Sequence, residues 1–270
     1  MRKFVNLLIL SSIFIYYGCG EDSPTSPPIG DSYVKIITAE NGSIRFEIWS
    51  ATSDMLQTGY NKIGFKVFEN GTSKNTGFVK FNAKMYHSGT TNTHGTPAQE
   101  SYGYNTSLGL FDGYLIMLMP GDSTSTWYGF YNYNNDLHID SVQFDVKLND
   151  KAKFKIFVDL NTGLSYLITV LDPLLPRKDL NTFQCMLHES FDFIYFTQAN
   201  NAQMYIRPWL DSLNHSSSNN INPVDPGTGI YEGKVNFDYS GLWQVYDSIY
   251  YDNKWITQSG GTPYIVFNVP

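Results

Sequence analysis

The chain has 270 residues, with 18 Lys+Arg against 25 Asp+Glu and a formal net charge of −7. Such an acidic balance repels phosphate backbones and anionic headgroups, which argues against nucleic acid as a partner and against electrostatic adhesion to a membrane. At 42% hydrophobic residues it can bury a core in each of two domains, so general disorder is excluded, and 20 Tyr and 18 Phe with only 16% charged residues favour strands and polar turns over helices.

In chain order, Arg2 and Lys3 precede an apolar run from Phe4 to Tyr17. Fourteen residues are too few to span a bilayer comfortably, so the run predicts a cleaved signal peptide over 1–18. It stops at Tyr16-Tyr17-Gly18-Cys19, which resembles a bacterial lipoprotein box, a small residue followed by the Cys that receives diacylglycerol. Cys19 is therefore the candidate lipidation site, and an ordinary export signal with a chance Cys is the alternative. Pro- and Ser-rich residues 19–31 read as a linker. Losing Arg2 and Lys3 with the leader takes the net charge from −7 to −9, so attachment to the membrane would come from acyl chains. The predicted location is the cell envelope, lipid-anchored to a bacterial membrane and facing the periplasm or the exterior.

Beyond the linker the chain repeats itself. Asn61 in NKIGFKVFE matches Asn181 in NTFQCMLHE, and the same offset of 120 relates Phe46 to Tyr166 and Gly109-Leu-Phe-Asp-Gly113 to Gly229-Ile-Tyr-Glu-Gly233. Trp127 pairs with Trp243 after a short deletion, and the His87-Ser88 pair is matched to His215-Ser216 at an offset of 128. The repeat places domain 1 at 32–150 and domain 2 at 151–270.

Each copy reads as strands. Val34–Ala39 and Ser43–Trp49 flank Glu-Asn-Gly, a hairpin signal, and Phe154–Asp159 and Leu164–Val170 flank Leu-Asn-Thr-Gly. Asn61–Phe68, Gly77–Tyr86, Tyr114–Met119, Trp127–Tyr133 and Val142–Leu148 alternate apolar and polar. About seven short strands per copy predict an all-β protein of two tandem immunoglobulin-like β-sandwich domains after the signal peptide and linker.

Asn181-x-Phe183, Pro208-Trp209, His215 to Pro223, Gly229-Ile-Tyr-Glu-Gly233 and Gly241-Leu-Trp243, with Met85-x-His87, Phe111-x-Gly113 and Met117-x-Met119-Pro-Gly121 in the first copy, resemble the YtkA-like and FixH-like extracytoplasmic domains. The resemblance implies small immunoglobulin-like sandwiches associated with copper handling or with assembly of respiratory oxidases. The second copy departs from the pattern, with Leu210, Leu213 and Tyr239 where the family has Met.

The candidate metal site lies in the first copy. Met85 and His87 share a strand face, His94 follows a flexible loop, and Met119, like His87, ends its strand. Thioether plus neutral imidazole is the donor set that Cu(I) prefers, so Met85, His87, His94 and Met119 are the candidate copper ligands. The alternative is three core methionines, Met117 among them, with two loop histidines. His138, His188 and His215 read as solvated or capping groups. Cys185, on a face with Phe183 and Leu187, reads as a buried, inert thiol, so no disulfide framework is expected. No nucleophile elbow, Walker loop, dinucleotide fingerprint or His-Glu-x-x-His pair occurs, which points away from an enzyme. The competing functional class is a structural or adhesive surface module without metal, in which Tyr-rich segments such as Tyr128–Tyr133 would meet a protein or glycan partner.

Overall fold

A computed structural model describes residues 33–258 and 261–270, of which Tyr33 onward forms one compact unit. The expected signal peptide, the Cys19 lipid site and the linker lie outside the described residues. Among the described residues helix is confined to one 3₁₀ turn at Asp211–Leu213, and no helix is long and apolar enough to cross a membrane.

The first half contains β1 (Val34–Asn41), β2 (Ile44–Ser50), β3 (Gly59–Glu69), β4 (Thr72–Lys74) and β5 (Phe78–His87). It continues with β6 (Thr93–Gly95), β7 (Tyr102–Asn105), β8 (Leu110–Met117), β9 (Ser125–Tyr133) and β10 (Leu137–Phe144). One layer runs β1-β2-β3-β8-β7 and the other β6-β5-β9-β10, all antiparallel neighbours. A short pairing of β7 with β5 at Val79–Tyr102 stitches the two layers along one edge.

The second half contains β11 (Lys153–Val158), β12 (Ser165–Asp172), β13 (Asp179–Ser190), β14 (Thr197–Gln198), β15 (Gln203–Leu210) and β16 (His215–Ser216). After these come β17 (Ile221–Val224), β18 (Tyr231–Phe237), β19 (Gly241–Tyr251), β20 (Lys254–Trp255) and β21 (Tyr264–Val269). Its layers are β11-β12-β13-β18-β17 and β16-β15-β19, with β21 and β20 along the far edge of β19. Setting aside the added β11, this is the four-strand plus C-F-G arrangement of an immunoglobulin sandwich, and the first half repeats it.

The alternation in sequence becomes alternation in burial. Trp127, Tyr131 and Tyr133 on β9, like Trp243, Val245 and Ile249 on β19, all face inward. In the first core Phe46 meets Tyr131 and Phe65 meets Phe81, each across the layers at 5.4 Å between ring centroids. In the second core Phe237 meets Phe267 and Trp243 at 5.5 Å. Each fully buried aromatic contributes roughly 1.5–3 kcal/mol of transfer free energy.

Two repeated residues have a polar explanation. The Asn61 amide donates to the carbonyls of Gln57 and Gly59 and its oxygen accepts from the Gln57 N–H. Asn181 does the same to Arg177 and Asp179. Each Asn pins the loop that enters its strand, so the repeat is most legible there. The glycines repeat for space. A Cβ on Gly113 would sit 2.7 Å from the Tyr102 ring, and one on Gly233 would sit 2.5 Å from the Ile221 carbonyl.

Two strands depart clearly from expectation: β8 runs Leu110–Met117 in place of Tyr114–Met119, which leaves Met119 beyond its end, and β10 is shifted. β10 ends at Phe144 rather than Leu148 and begins earlier, because Asn134 and Asn135 both take left-handed backbone (φ 51° and 61°) and turn the chain tightly back on β9.

The two sandwiches pack through a small apolar junction of Tyr114, Ile116, Leu167 and Met186, flanked by Tyr60, Leu118, Phe154 and Ile230. His188 is part of it. Expected as a solvated or capping group, it is fully buried, its Nε2 2.9 Å from the Tyr114 hydroxyl, and burial pulls its pKa down to about 3. The signal was the run Cys185-Met-Leu187 just before it, which marks a strand covered on both faces. Cys185 is free and buried as expected, and burial raises its pKa.

Candidate functional site

The candidate copper residues gather at one end of the first sandwich. His94 on β6, Met85 on β5 and Trp127 on β9 form a single cross-strand row. The His94 ring stands edge-on to the Trp127 indole at 5.4 Å, and the His87 ring lies 5.4 Å from His94. His87, the last residue of β5, is anchored through Nδ1 to the Ser125 hydroxyl at 2.9 Å, leaving its Nε2 for another partner. Met119 is 40% exposed, two residues past the end of β8, its carbonyl held by the Trp127 indole N–H at 3.0 Å. Together His94 and Met119 line a hollow of about 310 Å³ whose other walls include Leu118, Phe154, Ile156 and Phe193. Met85 is wholly buried in the core between His94 and Trp127, and Met117 is core as well.

The second sandwich contains the same row. His215 on β16 lies opposite Leu210 on β15, and Leu210 lies opposite Trp243 on β19. Its ring meets the Trp243 indole edge-on at 6.0 Å, and that indole N–H bonds the Tyr239 carbonyl at 2.9 Å. The structural counterpart of His215 is therefore His94, not His87 as the shared His-Ser dipeptide suggested. The loop between β5 and β6 is longer than its counterpart, so the dipeptide match slid along the chain while the strands kept their register.

The two equivalent imidazoles differ in their partners. His215 Nε2 lies 2.8 Å from a carboxylate oxygen of Asp238. The position corresponding to Asp238 is Leu118, one residue before Met119 as Asp238 is one before Tyr239. His94 Nε2 is accordingly closed off from solvent with no hydrogen-bond partner. A buried polar nitrogen left this way costs about 1–3 kcal/mol. Burial lowers the His94 pKa, with His87 adding to the effect and the Gly95 carbonyl opposing it, which keeps its imidazole neutral and its lone pair available near neutral pH.

A loop of the second sandwich closes one side of the site. The Gly95 N–H donates to the Phe193 carbonyl at 2.7 Å, and a Cβ on Gly95 would fall 1.9 Å from the Ile194 carbonyl oxygen. Only glycine admits that approach. Among the described residues no three His, Cys, Asp or Glu side chains gather as a metal-binding group.

No family model and no curated protein matches the chain. Two solved structures are similar to parts of it. One is FdeC, an Escherichia coli adhesin, at 9% identity and a TM-score of 0.24 over 87% of this chain and 66% of that one. The other is domains 5-6 of the S-layer protein SbsC, at 12% identity and a TM-score of 0.28 over 88% and 98%. Likeness at these scores carries nothing about fold, ligand or role.

Proposed function

We propose that the protein is a non-catalytic module of the bacterial cell envelope, tethered through lipid on Cys19, whose first sandwich holds Cu(I) between His87 and His94 with the Met119 thioether. The observation that carries this reading is the partnerless Nε2 of His94 beside a second imidazole, in a slot where the twin sandwich supplies Asp238. Two imidazoles and a thioether suit a soft monovalent ion and give a hard cation too few oxygens. Met85 packs beneath the site as a core residue. The resemblance of the first-copy motifs to the YtkA-like and FixH-like domains agrees with this chemistry.

The test is an anaerobic competition titration of the full chain against a chromophoric Cu(I) chelator. The wild type takes up a single equivalent. His94→Ala, and Leu118→Asp, which gives His94 the carboxylate neighbour that His215 has, each weaken binding by at least about tenfold. His215→Ala leaves it unchanged. Equal, weak binding by wild type and His94→Ala refutes the reading.

A further inference from the structure

A second recess lies away from the His94 rim, between the two sandwiches and beside residues 99–101. We infer that it is a binding site for a short neutral oligosaccharide. The cleft measures about 690 Å³ and draws its walls from both sandwiches. That size and that place, at a junction between domains, are where small-ligand sites concentrate.

Its aromatic wall is the stacked pair Tyr60 and Tyr114, with centroids 6.1 Å apart and planes 21° from parallel. The bond from the Tyr114 hydroxyl to buried His188 fixes that ring. Tyr114 is nearly buried, so the half-buried Tyr60 is the ring that offers an apolar surface to the C–H face of a pyranose.

The polar walls are amides held in position. Gln99, from the first sandwich, donates from Nε2 to the Ser101 carbonyl at 3.1 Å, and Gln198, from the second, donates to the Gly229 carbonyl at 2.8 Å. Each is tucked against a glycine. A Cβ on Gly113 would meet Gln99 Oε1 at 2.6 Å, and one on Gly229 would meet Gln198 Nε2 at 2.1 Å. Glu100, Asp112, Lys62, Thr197 and Asn200 add charged and polar groups to the lining. Planar amides and carboxylates offer paired donors and acceptors, which vicinal hydroxyls satisfy. The two carboxylates outnumber the single Lys62 ammonium in the lining, and on a chain of net charge −7 they disfavour phosphate or sulfate.

The test is calorimetric titration of the full chain, with a chelator present to remove metal, using cellotetraose, maltotetraose and the tetramer of N-acetylglucosamine. A heparin-derived tetrasaccharide serves as the anionic counter-probe. We expect at least one neutral probe to bind, Gln99→Ala and Asp112→Asn each to weaken it about tenfold, and the sulfated probe to bind more weakly. His94→Ala should leave this binding intact, which separates it from the copper site. Both substitutions are in residues with solvent access, and circular dichroism confirms the fold of each. Silence from all three neutral probes, tighter binding of the sulfated one, or affinity unmoved by both variants overturns the inference.

Discussion

Asp247 lies on β19 inside the second core, 1% exposed, and neither of its carboxyl oxygens has a hydrogen-bond partner. An ionised carboxylate there would be stripped of water with nothing in exchange. Burial accordingly raises its pKa from an ordinary 3.8 to about 8. The folded protein keeps this proton where the unfolded chain has released it. Stability linked to Asp247 is therefore complete below pH 3.8 and is lost as pH rises through about 8. At about 1.4 kcal/mol per pH decade, the full loss is roughly 6 kcal/mol, of which about 4 has accrued by neutral pH. Asp247→Asn keeps the shape and removes the titration. Urea unfolding of both proteins, followed by tryptophan fluorescence at about pH 4, 6 and 8, should show a gap that starts small and widens in the variant's favour by about 1.4 kcal/mol per pH unit. A gap that does not change with pH refutes the argument.

His188 works in the opposite sense. With its pKa lowered to about 3 from 6.5, the stability it carries is present above 6.5 and is lost as pH falls toward 3. At about pH 4.5 the loss is roughly 3 kcal/mol, and His188→Gln should remove most of that acid sensitivity in the same urea assay. Gly95→Ala forces the 193–194 backbone away, breaks its bond to Phe193 and costs about 1–3 kcal/mol; limited proteolysis should cut the 190–196 loop faster. Cys19→Ser should move the protein from the detergent phase to the aqueous phase on Triton X-114 partition, and unchanged partition would remove Cys19 as the lipid site.

Much of the fold was legible because inward residues alternate and because Asn61 and Asn181 do identical work in identical loops. The end of β10 was missed because the turn before it rests on the left-handed conformation of two asparagines, which a run of polar residues only hints at. Burial of His188 was missed because a single sandwich has no reason to cover both faces of β13. The first sandwich provides that cover, through Tyr114 and Ile116, only once the two dock. Met85, His87, His94 and Met119 could be singled out from the sequence, but the core position of Met85 and the relation of the histidines to the second copy could not. Dipeptide matching paired His215 with His87, while strand register pairs it with His94. The deciding difference, Leu118 for Asp238, lies at a position with no motif. The oligosaccharide cleft had no sequence signal, since its walls come from segments about 100 residues apart, joined by the docking of the two halves.

The registration of both sandwiches depends on amides and glycines seated within or just ahead of strands, Asn61, Asn181, Gly113 and Gly233 among them. None of it depends on the stretch between β5 and β6. Mutation can therefore lengthen that stretch in one twin without unsettling either, while a single exchange just past β8, Leu118 against Asp238, decides whether the neighbouring imidazole is tied to a carboxylate.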